Sequence, residues 1–150
     1  MAVKSETNTR IVRMKKFDYE VLDYLLRKAG EQGSKPNAGF FKDPKNVLLV
    51  SYSNEKLSGF LWAHVLDSPH SPNPKMLLYS VDVFEPFRRQ GIAALLIRYL
   101  KGIARIYKCR GMFVPTGKSN LPAMALYRAT GGIAGNDDAV FHYDEKALSA

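Results

Sequence analysis

The chain has 150 residues, about the length of one ordinary domain, which argues against a two-domain enzyme or a repeat array. Its 46% hydrophobic and 24% charged residues are typical of a globular protein with a core and exclude a disordered or collagen-like chain. The net charge of +8 attracts polyanions, so nucleic acid, an acidic membrane surface and a phosphate-rich cofactor are all carried forward as partner classes.

The cysteine content and the lengths of the apolar runs indicate the cellular compartment in which the protein is expected. Cys109 is the only cysteine, so neither an internal disulfide nor a cysteine-based zinc site is expected. His64 and His70 lack metal-ligand partners at useful spacing, and no metal is predicted. The N-terminus has no secretory pattern, and the apolar runs are far shorter than the ~20 residues that cross a bilayer. We expect a cytoplasmic protein with no membrane partner.

Hydrophobic spacing and breaker residues predict the elements in chain order. Residues 1–8 are typical of a loose terminus. Six strands are predicted, at residues 9–14, 46–52, 57–66, 76–84, 111–114 and 139–143. Helices are predicted from Asp18 to Gly30 and over residues 91–108 and 121–130. Two breaker-rich loops, 31–45 and 67–75, separate these elements, and the first is a candidate cover for a site.

The order of these elements predicts a mixed α/β sheet. A long helix lies between the strands 76–84 and 111–114, which is the arrangement of a parallel pair joined by a right-handed crossover. The strands 46–52 and 57–66 are separated only by a turn at residues 53–56 and favour an antiparallel hairpin. We therefore expect one domain over residues 1–150.

The junction E-P-F-R-R-Q-G-I-A, at residues 85–93, is the segment best suited to bind an anion. The first N–H groups of a helix have no intrahelical partner and carry a partial positive charge. Gly91 and Ala93 leave room for a pyrophosphate, and Arg88 and Arg89 supply charge-assisted donors. The alternative, a solvated basic loop, is not excluded by this segment alone.

Two motifs with matching spacing extend this interpretation. R-x-x-G-x-A is present as Arg88, Gly91 and Ala93, and N-x-x-A-x-x-L-Y-x-x-x-G is present in residues 120–131, with Asn120 first and Tyr127 at its tyrosine. With these motifs the chain resembles the GNAT superfamily of acyl-CoA-dependent N-acetyltransferases. The strings F-R-R-Q-G-I-A-A-L-L-I, L-P-A-M-A-L-Y and V-F-H-Y-D make it most similar to the type I aminoglycoside (gentamicin) 3-N-acetyltransferases.

This resemblance implies a fold and a cofactor site. The fold is a mostly antiparallel sheet flanked by helices, with a central parallel strand pair splayed open to bind acetyl-CoA. The backbone of Val81 and Val83 would face the acetyl and pantetheine groups, and the segment Arg88, Arg89, Gln90, Gly91, Ile92 and Ala93 would bind the pyrophosphate. Asn120 is a helix N-cap that could also bond the pantetheine arm, and Tyr127 could protonate the CoA sulfur.

The acceptor side departs from the aminoglycoside subgroup. Where that subgroup has Y-D-L-A-V, this chain has Y-S-V-D-V, so Ser80 replaces an acid and Asp82 lies on the same strand face. Asp82 and Asp144 are the carboxylates predicted to hold the amine or accept its proton, and His142 is a substrate-wall or base candidate. Glu85 is interpreted as a solvated loop residue, and Trp62 and His64 as packing residues.

The leading hypothesis is acetyl transfer to the primary amine of a small molecule, with an aminoglycoside as one acceptor and antibiotic resistance as its consequence. A polyamine, an amino acid derivative or a protein N-terminus is the alternative acceptor. Aminoglycosides are polycations, which a chain of net charge +8 is poorly suited to bind. A basic nucleic-acid-binding module is the rival of another class, although no zinc knuckle, helix-turn-helix or aromatic RNA-binding strand is found. A homodimer is left open.

Overall fold

The computed structural model describes residues 8–31 and 33–150, so the loose terminus predicted for residues 1–8 lies, except for Asn8, outside the described residues. The chain divides into two compact units, Met1–Val114 and Pro115–Ala150. The single domain over residues 1–150 stays a prediction from chain length.

The first unit contains a mixed sheet of five strands. These are β1 (Thr9–Arg13), β2 (Asn46–Ser53), β3 (Lys56–Ser68), β4 (Ser71–Val83) and β5 (Met112–Phe113). They lie in the order β1-β2-β3-β4-β5, and every neighbouring pair is antiparallel except β4 and β5. The mostly antiparallel sheet with one parallel pair is confirmed. The central position of that pair is wrong, because β5 ends the sheet.

The long hairpin of β3 and β4 differs from the breaker segment predicted at residues 67–75. β3 runs to Ser68 and β4 begins at Ser71, so only two residues separate them. Pro72 and Pro74 lie within β4, in a stretch where the pairing with β3 is irregular between Leu66 and Ser68. Proline has no N–H to donate to a ladder, and an irregular stretch is where a strand tolerates it. The prolines therefore do not end the strand.

Helices cover both faces of the sheet and supply its core. The helix α1 (Tyr19–Lys28) begins at Asp18, whose carboxylate accepts from the N–H of Val21 at 3.2 Å. Leu25 of α1 packs in one buried cluster with sheet residues Leu48, Val50, Phe60 and Phe84. The helix α2 (Ile92–Ile106) crosses the sheet and buries Ile92, Leu96, Ile97, Leu100 and Ile103. Both helices were predicted from their apolar spacing and are confirmed.

Gly59 allows β4 to approach β3 closely. A β-carbon at this position would lie 2.5 Å from the carbonyl oxygen of Asp82 and 3.1 Å from the α-carbon of Val83. Contacts that short force backbone to move, so a larger residue here displaces the end of β4. This glycine therefore sets the position of the strand end that carries Asp82 and Val83.

The second unit contains two short helices and no strand in any of its residues, 115–150. The helix α3 (Leu121–Ala129) begins at Asn120 and ends in a Schellman motif, with Gly131 N–H donating to Arg128 and Gly132 N–H to Tyr127. The helix α4 (Glu145–Leu148) was not predicted. Within the described ranges, none of the helices has both the length and the apolar character that crossing a membrane requires.

The strand predicted over residues 139–143 is wrong. These residues have no strand pairing, and Val140, Phe141 and Tyr143 are 57%, 82% and 73% exposed. Valine and aromatic residues favour a strand because they pack well on a pleated, half-buried surface, and no such surface receives them here. Their composition therefore indicated a strand that the chain does not form.

Candidate functional site

The outer edge of β4 is the first component of the site. β5 pairs with β4 only at Met76 and Leu77, so between residues 78 and 83 no strand of the described first unit pairs with β4 on that side. The N–H of Phe84 donates to the carbonyl of Ser58 at 2.9 Å, which points residue 84 toward β3. Because backbone direction alternates along an antiparallel strand, the backbone groups of Val81 and Val83 point to the unpaired edge.

The N-terminus of α2 is the second component. Gly91 is its N-cap, with φ 77° and ψ 12°, and no side chain caps this end. The N–H of Leu95 reaches the carbonyl of Gly91, which leaves the N–H groups of Ile92, Ala93 and Ala94 without intrahelical acceptors. The first turn holds no acidic residue. The arrangement is suited to binding an anion by backbone donors.

The loop that leads into α2 holds the predicted basic residues in two different ways. Arg89 is exposed and has a φ of 64°, a left-handed conformation that is uncommon for a residue with a side chain. Gln90 is also exposed. Arg88 turns back on β4, where its Nε donates to the carbonyl of Val83 at 2.8 Å. This bond shows that the Val83 carbonyl is directed away from β3.

Asp82 lies beside Arg88 at the end of β4. Its Oδ1 is 3.8 Å from Nη2 of Arg88, and its side chain is 30% exposed. Burial raises the pKa of Asp82 above its ordinary value, while the charge of Arg88 and a hydrogen bond from the backbone of Val83 act in the opposite direction. The carboxyl group is therefore a stronger base than an exposed aspartate, and it has a cationic neighbour.

Ser80 and Asp82 share the face of β4 that also carries an aromatic row. Ser80 lies opposite Trp62 and Asp82 opposite Phe60 in the β3–β4 register, which confirms that the two share one face. The Tyr79 ring is 5.3 Å from Trp62 and 6.0 Å from His64, and the Phe40 ring is 5.9 Å from His64, all between centroids. Tyr79 is 59% exposed, so this row borders solvent.

His64 belongs to a hydrogen-bond chain that sequence reasoning missed. Asn46 donates through Nδ2 to the carbonyl of Phe40 at 3.0 Å, and its Oδ1 lies 2.8 Å from Nδ1 of His64. Since the amide nitrogen of Asn46 is used on Phe40, its oxygen accepts and Nδ1 of His64 donates. The chain links the short 3-10 turn Ala38–Lys42 to β2 and β3. Residues so far apart in sequence carry no local signal of this contact.

Asn120 is the N-cap of α3 in the second unit, and Tyr127 lies on the same helix. The Asn120 side chain accepts from the N–H of Ala123 at 3.2 Å, so the predicted N-cap is confirmed, and its amide N–H₂ group is not used by this bond. Tyr127 is half-buried, and burial raises the pKa of its hydroxyl. Within residues 115–150 no hydrogen bond engages that hydroxyl. It is therefore protonated at neutral pH and able to donate.

His142 does not lie on a strand, contrary to the prediction for residues 139–143, and Asp144 directly precedes α4. Both are exposed. The Asp144 carboxylate accepts from the N–H of Ala147 at 2.8 Å and caps α4. Capping is the local role that aspartate commonly takes before a helix, and it accounts for this side chain without any substrate.

A surface depression of about 380 Å³ lies elsewhere, beside the β3–β4 turn. The residues that line it are Leu66, Asp67, Ser68, Pro69, Lys75, Arg110 and Phe113. None of them is a predicted site residue. The predicted cofactor residues of the first unit lie instead at the opposite end of β4 and in the loop that follows it. They form an open strand edge and the start of a helix. This arrangement suits an extended ligand and not one that is enclosed in a cavity.

Known proteins share this fold and parts of the sequence. The chain is 35% identical to N-acetyltransferase 8 of Homo sapiens over 82 residues, which are 55% of this chain and 36% of that protein. The chain therefore spans about a third of the length of that relative. An aminoglycoside acetyltransferase from an uncultured soil metagenomic sample, in complex with sisomicin, superposes with a TM-score of 0.81 at 23% identity, over 91% of this chain and 95% of that one. An aminoglycoside N-acetyltransferase in complex with CoA superposes with a TM-score of 0.72 at 19% identity, over 91% of this chain and 99% of that one.

At these identities the two solved structures support the fold alone. The family is shown by a longer match, because residues 12–131 fit the family described as the acetyltransferase (GNAT) family. That range contains the unpaired edge of β4, the loop before α2 and the whole of α3. The chain belongs to the GNAT family of acetyltransferases.

Proposed function

We propose that this protein is an acetyl-CoA-dependent N-acetyltransferase that acts on the amine of a small molecule. One observation carries the proposal: the edge of β4 to which the backbone of Val81 and Val83 points pairs with no strand of the described first unit, and it leads to the uncapped N-terminus of α2. An extended thioester with a pyrophosphate at one end matches this order of donors. Membership of the GNAT family supports it, as does the CoA complex of a protein with the same fold.

The cofactor's chemistry is that of an activated acyl donor, a thioester that an uncharged amine can attack. On this chain the backbone N–H of Val81 would donate to the thioester carbonyl oxygen, where negative charge develops. The N–H groups of Ile92, Ala93 and Ala94 would bind the pyrophosphate, with Arg89 and Gln90 beside them. Gly91 keeps that approach open, since a β-carbon there would meet no atom within 4 Å.

The amine nitrogen forms a bond to the acetyl carbon, and the carbon–sulfur bond breaks with its electron pair on sulfur. The amine loses one proton, for which Asp82 is the proposed acceptor, and the sulfur gains one, for which Tyr127 is the proposed donor. The products are an acetamide and CoA thiol. Placing the two reactants together would supply much of the rate, about 7 to 11 kcal/mol of the barrier in well-oriented cases.

Asp82 and Tyr127 suit these roles for physical reasons. A raised pKa makes the Asp82 carboxylate a better proton acceptor, and a raised pKa keeps the Tyr127 hydroxyl protonated until it is needed. Asn120 is proposed to bond the pantetheine arm through its unused amide N–H₂ group. Ser80, on the face of Asp82, is proposed to contact the acceptor.

An aminoglycoside is a second candidate acceptor, supported by the sisomicin complex of a protein with the same fold. Aminoglycoside amines need acids around them, and Ser80 replaces the subgroup acid. We therefore expect Ser80→Asp to increase turnover of an aminoglycoside about tenfold over wild type, with Ser80→Asn as the uncharged control. If neither wild type nor Ser80→Asp turns over an aminoglycoside, the similarity to the aminoglycoside acetyltransferases extends to the fold and the cofactor but not to the acceptor.

Cofactor binding is tested by thermal unfolding. A ligand that binds only the folded chain at 100 times its dissociation constant adds about 2.7 kcal/mol, which raises the Tm of a chain this long by about 5 to 10 °C. Adenosine, which lacks the pyrophosphate and pantetheine, is the control and should leave the Tm within about 1 °C. A Tm unmoved by millimolar CoA would contradict the proposed function.

A further inference from the structure

We infer that the acceptor is an amine carrying an aromatic ring, bound with the ring on the surface formed by Phe40, Trp62, His64 and Tyr79. This surface is called the aromatic row below. The inference rests on the proposed function, because it takes the reacting amine to lie at Val81 and Asp82. It adds the chemistry of the group attached to that amine.

The geometry of the row favours a flat ligand. Trp62 and Tyr79 lie with centroids 5.3 Å apart and planes 34° from parallel, while His64 meets Tyr79 edge-on at 88°. Phe40 continues the row at 70° to His64. A ligand ring that stacks on Tyr79 would lie beside the rings of Trp62 and His64. Aromatic rings attract one another in such offset-stacked and edge-to-face arrangements. Tyr79 is the most exposed member and offers its surface to solvent.

The row lies where a substituent of the reacting amine would reach it. Tyr79 is two residues from Val81 along β4, and Trp62 is directly opposite Ser80 in the register. Because Trp62 pairs with Ser80 and Ala63 with Leu78, Tyr79 is the extra residue of a β-bulge. It therefore lies at most about 7 Å from Val81 along the strand, close to the distance from an amine to the far side of a phenyl ring two carbons away. An arylalkylamine can therefore place its nitrogen at Asp82 and Val81 with its ring on Tyr79.

Charge around the row argues against a polycation. Asp82 already lies 3.8 Å from Arg88. Asp67, at the far end of β3, forms an ion pair with Lys45, and the carboxylate of Asp43 accepts from the backbone N–H of Lys45. Asp82 is the carboxylate on the same face of β4 as the row, and each further cation of a ligand would need another acid on that face.

The row is held in place before a ligand arrives. The chain from Phe40 through Asn46 to His64 links three segments by bonds of 3.0 Å and 2.8 Å. Ordering aromatic side chains in advance reduces the entropy lost on binding. Phe40 and Trp62 also pack against the buried cluster that contains Leu25 and Phe60, so the core helps to hold the row in place.

The test uses the only tryptophan of the chain, Trp62, as the probe. Its fluorescence, excited at a wavelength that phenylethylamine does not absorb, is titrated with 2-phenylethylamine, n-butylamine and spermidine in the presence of CoA. We expect phenylethylamine to bind at least tenfold more tightly than butylamine and spermidine. In turnover the same order is expected for kcat/KM. Equal affinities, or a preference for spermidine, would overturn the inference.

Variants of Tyr79 separate the ring from general damage. Tyr79→Ala should lower kcat/KM for phenylethylamine about tenfold and leave that for butylamine within about twofold, and Tyr79→Phe should retain both. Tyr99→Ala removes another exposed tyrosine, 46% exposed on α2, and should change neither. An equal loss for both amines in Tyr79→Ala would overturn the inference.

Measurement of CoA affinity separates failure of the acceptor inference from failure of the proposed function. If wild type binds CoA but shows no preference for the aromatic amine, the acceptor inference fails and the proposed function stands. If CoA does not bind, the proposed function fails and the acceptor inference fails with it. Asn46→Ala, which removes the link between Phe40 and His64, should weaken phenylethylamine binding while CoA affinity is unchanged.

Discussion

Replacement of Gly91 measures how much of the CoA affinity depends on the N-terminus of α2. The residue has a φ of 77°, and a β-carbon added there meets nothing within 4 Å, so an alanine costs only its left-handed conformation. That cost is about 1 kcal/mol, which lowers the Tm of a chain this long by about 2 to 4 °C. Because the added β-carbon meets no neighbouring atom, the loss of stability comes from the left-handed backbone conformation and not from a steric clash.

Gly91→Glu adds a negative charge to the same backbone strain. At about 5 Å from a pyrophosphate and an effective dielectric constant near 20, the repulsion is about 3 kcal/mol, or more than a hundredfold in affinity. The same charge favours the helix N-terminus by about 0.3 to 1 kcal/mol, so this variant should be no less stable than Gly91→Ala. CoA affinity is measured by titration calorimetry and stability by thermal unfolding.

Gly91→Gln is the matched control, since it has the size of glutamate without the charge. We expect its CoA affinity to lie close to that of Gly91→Ala, and the loss in Gly91→Glu to shrink as salt is raised to about 0.5 M. A CoA dissociation constant for Gly91→Glu within threefold of that for Gly91→Gln would refute a pyrophosphate site at this helix start.

Three further substitutions address the proposed chemistry. Tyr127→Phe should lower kcat about a hundredfold or more while CoA affinity changes less than twofold, and the exposed Tyr143→Phe should change neither; equal kcat in both would exclude Tyr127 as the proton donor. Because the folded pKa of Asp82 is raised, the native chain holds that proton more tightly than the unfolded chain, so the free energy of unfolding falls as pH rises from the ordinary to the raised value. Urea titrations should show this fall in wild type and not in Asp82→Asn, and parallel pH profiles would contradict it. Asp144→Ala should leave kcat within twofold, whereas a tenfold loss that Asp144→Asn does not share would show that its carboxylate does more than cap α4.

The helices α1, α2 and α3 were predictable because their signals are local. Buried residues of α2 recur at positions 92, 96, 97, 100 and 103, a spacing that defines one helix face within fifteen residues. Asp18 and Asn120 are N-caps whose hydrogen bonds reach only three residues ahead. Such interactions depend on neighbours in sequence, so the pattern alone carries them.

The strand errors have the opposite cause. Residues 139–143 have strand-forming side chains but no partner, whereas Pro72 and Pro74 carry breaker residues into a strand that β3 holds in place. Whether a segment pairs depends on which edge the rest of the chain presents to it. Strand propensity describes a fit to a surface and cannot say whether that surface exists.

By itself the sequence determined the family motifs, the mixed sheet and the helix α2, and it supplied the residues of the cofactor site that we propose. Only the tertiary structure decided that Arg88 contacts Asp82 and Val83, that the parallel pair ends the sheet, and that an aromatic row lies beside Ser80. The contact between His64 and Asn46 spans 18 residues, and it exists only because β2 and β3 pair in one register. Register is set by packing of the whole sheet, which no local pattern specifies.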